Sequence, residues 1–133
     1  MNNLKKSKLR TKVIHNALMS IYFAESGHPG GVLSCIDILF YLFLREIKRF
    51  KNIENKNRFI LSKGHSVPAL YSVAKEFGYL TKNHLKNLRK INSKAQGHPT
   101  INTFKCIECN TGSLGQGLSY SVGLALGYKL KKF

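Results

Sequence analysis

Three Gly-His pairs and one glycine-rich turn constrain this chain more than any other feature of its sequence. The pairs are Gly27-His28, Gly64-His65 and Gly97-His98, and the turn spans Thr111–Gly117. Proline follows the first and third pairs. Glycine allows backbone conformations that are closed to other residues, and proline fixes its own φ. Each histidine is therefore expected at a shaped, non-helical corner. Three such corners ahead of a phosphate-type turn predict an active site.

The glycine-rich turn Thr111–Gly117 is expected to open a helix. Successive backbone N–H groups at a helix start, together with the helix dipole, suit a phosphate or diphosphate. The alternative is an ordinary turn that lets a helix pack tightly. His65 is expected to follow a strand over Arg58–Ser62, at the edge where α/β sheets bind ligands. There it can donate a hydrogen bond to phosphate or transfer protons. Taken alone, each of the three histidines would more often be a helix-start residue satisfied by solvent.

The rest of the sequence predicts mostly helix. Ser34 and Asp37 have the spacing of a capping box, Ser66 can cap the helix behind His65, and Thr81 begins a shorter helix. The segment 48–57 is polar and predicts a loop. The expected helices are Leu9–Phe23, Cys35–Leu44 with apolar residues all round, one from Ser66 to Gly78, and Gly115–Lys131.

The strand Arg58–Ser62 is the one confident strand of this sequence, and we expect it to belong to a parallel sheet. A lone strand has no ladder partner for its backbone groups. Residues 1–133 are therefore expected to form an incomplete α/β domain. In the last helix, apolar residues predict a core face, and a stripe of small residues suits either a close contact within the domain or a subunit interface. The expected core face consists of Leu118, Val122, Ala125, Leu126 and Leu130. The stripe of small residues consists of Ser119, Gly123 and Gly127.

Composition argues against several classes of protein. The net charge is +16, but the basic residues are spread along the chain and only 5 of the 22 are arginine, so nucleic acid is not the expected partner. The apolar runs are too short for a membrane span, and the N-terminus lacks the pattern of a secretory signal, so we expect a cytoplasmic protein. Cys106 and Cys109 have zinc-type spacing without a second pair of ligands, which favours ordinary apolar cysteines.

Taken in order, these segments resemble the N-terminal part of the transketolases. The motifs that carry the resemblance are Ser26–Gly31, Arg58–His65, Gln96–Pro99 and Thr111–Gly117. The similarity extends over almost the whole chain from about Lys12. It implies a thiamine diphosphate-binding α/β fold and the transfer of a two-carbon ketol unit between sugar phosphates.

The resemblance also implies roles for individual residues. The histidine matching His28 contacts substrate and helps move protons, the one matching His65 reaches the cofactor diphosphate and the substrate, and the one matching His98 lines the substrate site. The turn matching Gly112, Ser113 and Leu114 holds the cofactor. His28, His65 and His98 are thus the expected catalytic residues, and His65 and the turn the expected cofactor-binding residues.

Two parts of the transketolase pattern are not found in this sequence. The Gly-Asp-Gly segment and the later Asn that bind Mg²⁺ would follow Phe133, and the glutamate that activates the thiamine ring belongs to a second domain. We therefore assign no metal ligand here. The expected partners are sugar phosphates, a complementing C-terminal chain and a homodimer-type interface. The interpretations left open are a truncated product, a non-catalytic remnant, a binding module for an anionic partner, a split-gene subunit and a small basic nucleic-acid-binding protein.

Overall fold

The computed structural model describes residues 2–51 and 58–131 of the chain. It contains five α-helices: α1 (Asn3–Ala24), α2 (Pro29–Lys51), α3 (Val67–Glu76), α4 (Lys82–Lys86) and α5 (Gln116–Lys131). A short 3-10 turn, Gly64–Ser66, leads directly into α3. The expectation of a mostly helical chain is confirmed. None of the described helices is long and apolar enough to cross a membrane.

Helices α1 to α4 pack together around one core. Helix α1 contacts α2, α3 and α4, and α2 also lies along α3. Helix α3 is the most deeply buried, because eight consecutive residues from Val67 to Ala74 are shielded from solvent. The largest fully buried side chains of the core are Val13, Val32, Ile36, Phe43, Val67, Leu70, Tyr71, Val73 and Leu88.

The ends of the helices follow local sequence signals. Helix α1 ends at Glu25, which adopts the left-handed conformation at φ 49° and bonds back to Tyr22 O. Ser66 occupies the N-cap position of α3 and Pro68 lies in the first turn, as expected, but the Ser66 side chain makes no capping hydrogen bond. Thr81 and His84 form a capping box at α4. Gly78, at φ 84°, follows the end of α3.

The start of α2 was predicted wrongly. The helix begins at Pro29, so Ser34 and Asp37 lie inside it rather than at its N-terminus. Proline is well suited to the first position of a helix, where its missing N–H needs no partner. The Asp37 carboxylate instead accepts hydrogen bonds from Arg10 Nε and Nη2, at 2.6 and 2.7 Å. Of the expected loop 48–57, residues 48–51 belong to α2, and 52–57 lie outside the described residues.

The strand expected at Arg58–Ser62 is not found in the structure. Residues 2–51 and 58–131 contain no β-strand, and the segment 58–61 runs into the 3-10 turn without regular structure. A strand requires a neighbouring strand to complete its hydrogen-bond ladder, and the described residues supply none. Contacts from a side chain hold the segment instead: Thr111 Oγ1 donates a hydrogen bond of 2.7 Å to Leu61 O.

Helix α5 stands apart from the other described helices, because it packs against none of them. The expected helix Gly115–Lys131 is found and begins at Gln116, but the face that was expected in the core is solvent-exposed: Leu118 is 68%, Leu126 55% and Leu130 82% accessible. The helix is joined to the core at two points. Gly117 lies directly against Ser62, and Arg58 Nε donates a hydrogen bond of 2.6 Å to Tyr128 Oη.

Candidate active site

The first Gly-His corner joins α1 to α2. Gly27 has φ 155°, and a Cβ at this position would approach Ile21 Cγ1 to 3.0 Å. The carbonyl of His28 accepts the first hydrogen bond of α2, from Val32 N at 2.9 Å. This placement leaves the His28 side chain exposed at the beginning of the helix. Local backbone geometry therefore places His28 at a non-helical corner, as the sequence predicted, and the helix α2 follows it directly, which was not predicted from the sequence.

The second corner brings His65 beside His28. The two ring centroids are 5.2 Å apart and the rings are nearly perpendicular, at 87°. Gly31 lies beside both rings, since a Cβ there would lie 3.6 Å from His28 Cβ and from His65 Cδ2, an ordinary van der Waals distance. His65 is half-buried, whereas His28 is exposed. The first turn of α2 and the 3-10 turn before α3 thus place two histidines in one cluster.

The glycine-rich turn packs directly behind the second corner. A Cβ at Gly64 would lie 2.7 Å from Thr111 O and 2.9 Å from Thr111 C, distances that only glycine avoids. The third histidine is next to the same turn, because a Cβ built on Gly112 would lie 3.6 Å from His98 Cδ2. The structure therefore brings Gly112 together with both the His65 corner and His98.

The outer part of the turn faces solvent. Ser113 and Leu114 are exposed, Leu114 by 74%. Gly115 takes φ 84°, and Gln116 N bonds back to Ser113 O at 3.2 Å as α5 begins. The 16-residue helix α5 therefore starts shortly after Gly112, the residue of the turn that lies next to His98. Backbone N–H groups in this position attract anions.

Burial lowers the pKa of His65, and the nearby basic groups of His28, Lys63 and His98 lower it further. The charges that influence His65 are therefore all of the basic type. A neutral imidazole at this position can donate a hydrogen bond to an anion, and the approaching negative charge would favour its protonation. The cluster, named here the histidine cluster (His28, His65 and His98), is chemically suited to a phosphate group.

Sequence reasoning missed two basic residues that support the cluster. Lys63 Nζ donates hydrogen bonds to Gly31 O at 3.0 Å and to Ser34 Oγ at 2.7 Å, so it ties the second corner to α2. Arg89 Nη1 donates a hydrogen bond of 3.0 Å to Ser26 Oγ, and the same guanidinium lies against Gly97. Lys63 could have been noticed from its position directly before Gly64-His65. Arg89 gives no comparable signal in the sequence.

Among the residues that the structure describes, the cysteines form neither a disulfide bond nor a metal site. Cys35, Cys106 and Cys109 are free thiols, and Cys106 is buried. Burial raises the pKa of the Cys109 thiol, so it is protonated at neutral pH. Within ranges 2–51 and 58–131 no group of three or more His, Cys, Asp or Glu side chains could hold a metal ion.

Comparison with known protein families shows which family this chain belongs to. The family model for the thiamine diphosphate-binding domain of transketolase matches residues 7–132. The chain belongs to the transketolase family. Among curated relatives, one of the subunits of the apulose-4-phosphate transketolase of Phocaeicola vulgatus is 41% identical over 115 residues, which cover 84% of this chain and 41% of that protein. The transketolase of Aquifex aeolicus is 42% identical over 110 residues, covering 80% of this chain and 16% of the relative.

Solved transketolase structures have the same fold over this region. The enzyme from Leishmania mexicana superimposes with a TM-score of 0.77 and 29% identity, over 90% of this chain and 18% of the other. The Pichia stipitis transketolase, determined in complex with sedoheptulose-7-phosphate, gives a TM-score of 0.74 and 32% identity over 91% of this chain. The 133 residues thus span less than a fifth of each solved transketolase and about two fifths of the Phocaeicola vulgatus protein.

Proposed function

We propose that this chain supplies the thiamine diphosphate-binding part of a transketolase, which transfers a two-carbon ketol unit between sugar phosphates. The observation that carries the proposal is the convergence of the histidine cluster on the glycine-rich turn. His65 lies 5.2 Å from His28 between ring centroids, and its corner packs on Thr111, next to Gly112 and His98. The names of the relatives, which include whole transketolases and one transketolase subunit, support the same interpretation.

The residues present fit a diphosphate. The groups that act on His65 are all basic, and α5 begins shortly after Gly112, the turn residue next to His98, so its first backbone N–H groups are proposed as further donors. We assign diphosphate binding to His65 and to Gly112, Ser113 and Leu114. When bound, thiamine diphosphate supplies the electron sink of the reaction. The role of this chain is to bind the diphosphate and to orient the histidines around it.

The three histidines have different environments and are assigned different roles. His65 is half-buried with a lowered pKa, so it starts neutral and donates a hydrogen bond to a phosphate oxygen. His28 is exposed on the open side of the cluster and is assigned to contact substrate and to move protons at the reacting carbons. His98, also exposed, is assigned to the substrate site. Lys63 holds α2 in place through Gly31 O and Ser34 Oγ.

The rest of the active site is proposed to come from residues outside this sequence. Mg²⁺ would be bound there, together with the acid that activates the cofactor. The exposed leucines of α5 are the surface that this remainder is proposed to cover, since burying apolar side chains stabilises an assembly. We propose a complementing C-terminal segment or chain, a homodimer-type interface and a cytoplasmic location. The Phocaeicola vulgatus relative is named as one subunit of its enzyme, which supports a divided enzyme here.

A chimeric enzyme tests this proposal. Residues 7–132 of this chain would replace the matching segment of the Aquifex aeolicus transketolase, and ketol transfer between sugar phosphates would be measured. We expect activity that requires thiamine diphosphate and that His28→Ala lowers. Circular dichroism and size-exclusion chromatography would establish that the chimera folds and assembles like its parent.

The outcomes separate the two functional interpretations. A folded, assembled chimera that transfers ketol units supports the enzyme. A chimera that folds and assembles but has no activity would refute it, and would favour a non-catalytic remnant or a binding module for an anionic partner.

A further inference from the structure

A polar cleft lies away from the histidine cluster, between α4 and the loop that follows it. Its volume is about 350 Å³, at the small end of ordinary ligand sites. Ile91 borders the cleft and is 92% exposed, so its side chain contributes no closed apolar wall. The polar side chains that line it are Asn83, His84, Asn87, Lys90, Asn92, Ser93 and Lys94.

The charged residues in the part of the sequence that forms this cleft are all basic. Between Glu76 and Glu108 the sequence contains no Asp or Glu, while it contains Lys82, Lys86, Arg89, Lys90, Lys94 and Lys105. Two of these lysines, Lys90 and Lys94, line the cleft itself. A concave site lined by charge of one sign concentrates counter-ions from solution. The cleft therefore attracts anions, and none of its own side chains is an acid that would compete for the lysines.

Hydrogen-bond donors are already arranged around the cleft. His84 Nδ1 accepts a hydrogen bond of 3.0 Å from Thr81 N, so the neutral ring carries its proton on Nε2. Ser93 Oγ accepts from Ala95 N at 3.1 Å, which leaves its O–H as a donor. Both groups are donors of the kind that phosphate oxygens accept.

The loop is held in shape without a ligand. Arg89 N bonds to Ala95 O at 2.8 Å, which closes the loop at its base, and Ser93 N bonds to Lys90 O at 3.1 Å. Arg89 and Asn92 both take positive φ, at 62° and 63°. A site whose backbone is already ordered loses less entropy when a ligand binds.

We propose that this cleft is a second anion site, which binds a small, multiply charged phosphate compound such as a nucleoside diphosphate. Lys90 and Lys94 neutralise the phosphate charge, and His84 and Ser93 donate hydrogen bonds to its oxygens. The site is separate from the histidine cluster, because it shares no lining residue with it. A compact diphosphate suits the volume and the polar walls better than an extended polymer.

Calorimetry on the purified 133-residue chain tests the proposal, with ADP, inorganic pyrophosphate and adenosine as probes. ADP and pyrophosphate should bind, with affinity that decreases as salt is raised, and adenosine should not. Lys90→Gln with Lys94→Gln should weaken ADP binding about tenfold, the usual scale for two exposed charge contacts. The matched control is Lys5→Gln with Lys6→Gln in the first turns of α1, which removes the same formal charge and should change affinity less than about twofold.

Lysine acetylation mapped by mass spectrometry gives a second measurement that needs no variant. ADP should protect Lys90 and Lys94 and leave Lys5 and Lys6 reactive. Three results would overturn the proposal: no binding of ADP or pyrophosphate, an equal loss of affinity in the two double variants, or protection of Lys63 in place of the cleft lysines. The last result would place the ligand at the histidine cluster.

Discussion

Alanine at position 64 should force apart the two segments that form the candidate active site. A Cβ built on Gly64 lies 2.7 Å from Thr111 O, 2.9 Å from Thr111 C and 3.0 Å from Gly112 N. All three are backbone atoms, so no side-chain rotation can relieve the contact. Either the His65 corner or the glycine-rich turn must move, and the spacing between His65 and Gly112 changes with it.

The expected cost follows from two opposing effects. Overpacking a well-packed site typically destabilises a protein by about 1–3 kcal/mol. Replacing glycine with alanine recovers about 0.4–1 kcal/mol, because the unfolded chain loses conformational freedom. Gly64→Ala should therefore lower the free energy of unfolding by about 1–2 kcal/mol. Urea denaturation followed by far-ultraviolet circular dichroism measures this difference.

Gly30→Ala is the matched control. It lies in the first motif, within the first turn of α2, and a Cβ there meets nothing within 4 Å. This variant should be unchanged or slightly more stable than the original chain, by up to about 1 kcal/mol. A Gly64→Ala chain as stable as Gly30→Ala would refute the reasoning, because the close contact with Thr111 would then carry no cost.

Two further predictions concern pH and the attachment of α5. Because the pKa of His65 is lowered in the folded chain, the unfolded chain binds the proton first. The free energy of unfolding should thus decrease as pH falls below about 6.5, and His65→Gln should reduce that decrease in urea titrations between about pH 8 and 5; an unchanged slope would contradict it. Arg58→Gln removes the hydrogen bonds to Tyr128 and Glu108, so amide hydrogen exchange in α5 should accelerate severalfold, whereas Arg10→Gln should leave it unchanged. Equal exchange of α5 in both variants would show that Arg58 does not hold the helix.

Much of the helical architecture could be predicted because its signals are local. The end of α1 near Glu25-Ser26-Gly27, Pro68 in the first turn of α3 and the capping box of α4 each depend on residues within one or two turns. The start of α2 could not be predicted in the same way, because Gly30 and Gly31 are poor helix formers that mask it. The predictions of a strand at 58–62 and of a buried face on α5 were wrong for a different reason. A strand needs a neighbouring strand and a buried helix face needs a covering surface, and the described residues supply neither.

The candidate site could also be predicted only in part. Glycine precedes each of the three histidines and proline follows two of them, so the three histidines and the turn could be named in advance. The convergence of the histidines on the turn could not be predicted from the sequence, and neither could the contacts that Lys63 and Arg89 make. Lys63 bonds to residues about thirty positions earlier, and Arg89 to Ser26 across 63 positions. Contacts of this range depend on how the helices pack, which local patterns do not encode.

In the proposed function, His65 binds the cofactor diphosphate while His28 acts on the substrate. The most direct measurement is the Kd for thiamine diphosphate of the chimeric enzyme with His65→Ala and, separately, with His28→Ala. Loss of a hydrogen bond to a charged group should raise the Kd of the His65→Ala enzyme by roughly tenfold or more and lower its turnover. His28→Ala should lower turnover and leave the Kd within about twofold of the parent. Equal increases in Kd for the two variants would contradict the assignment.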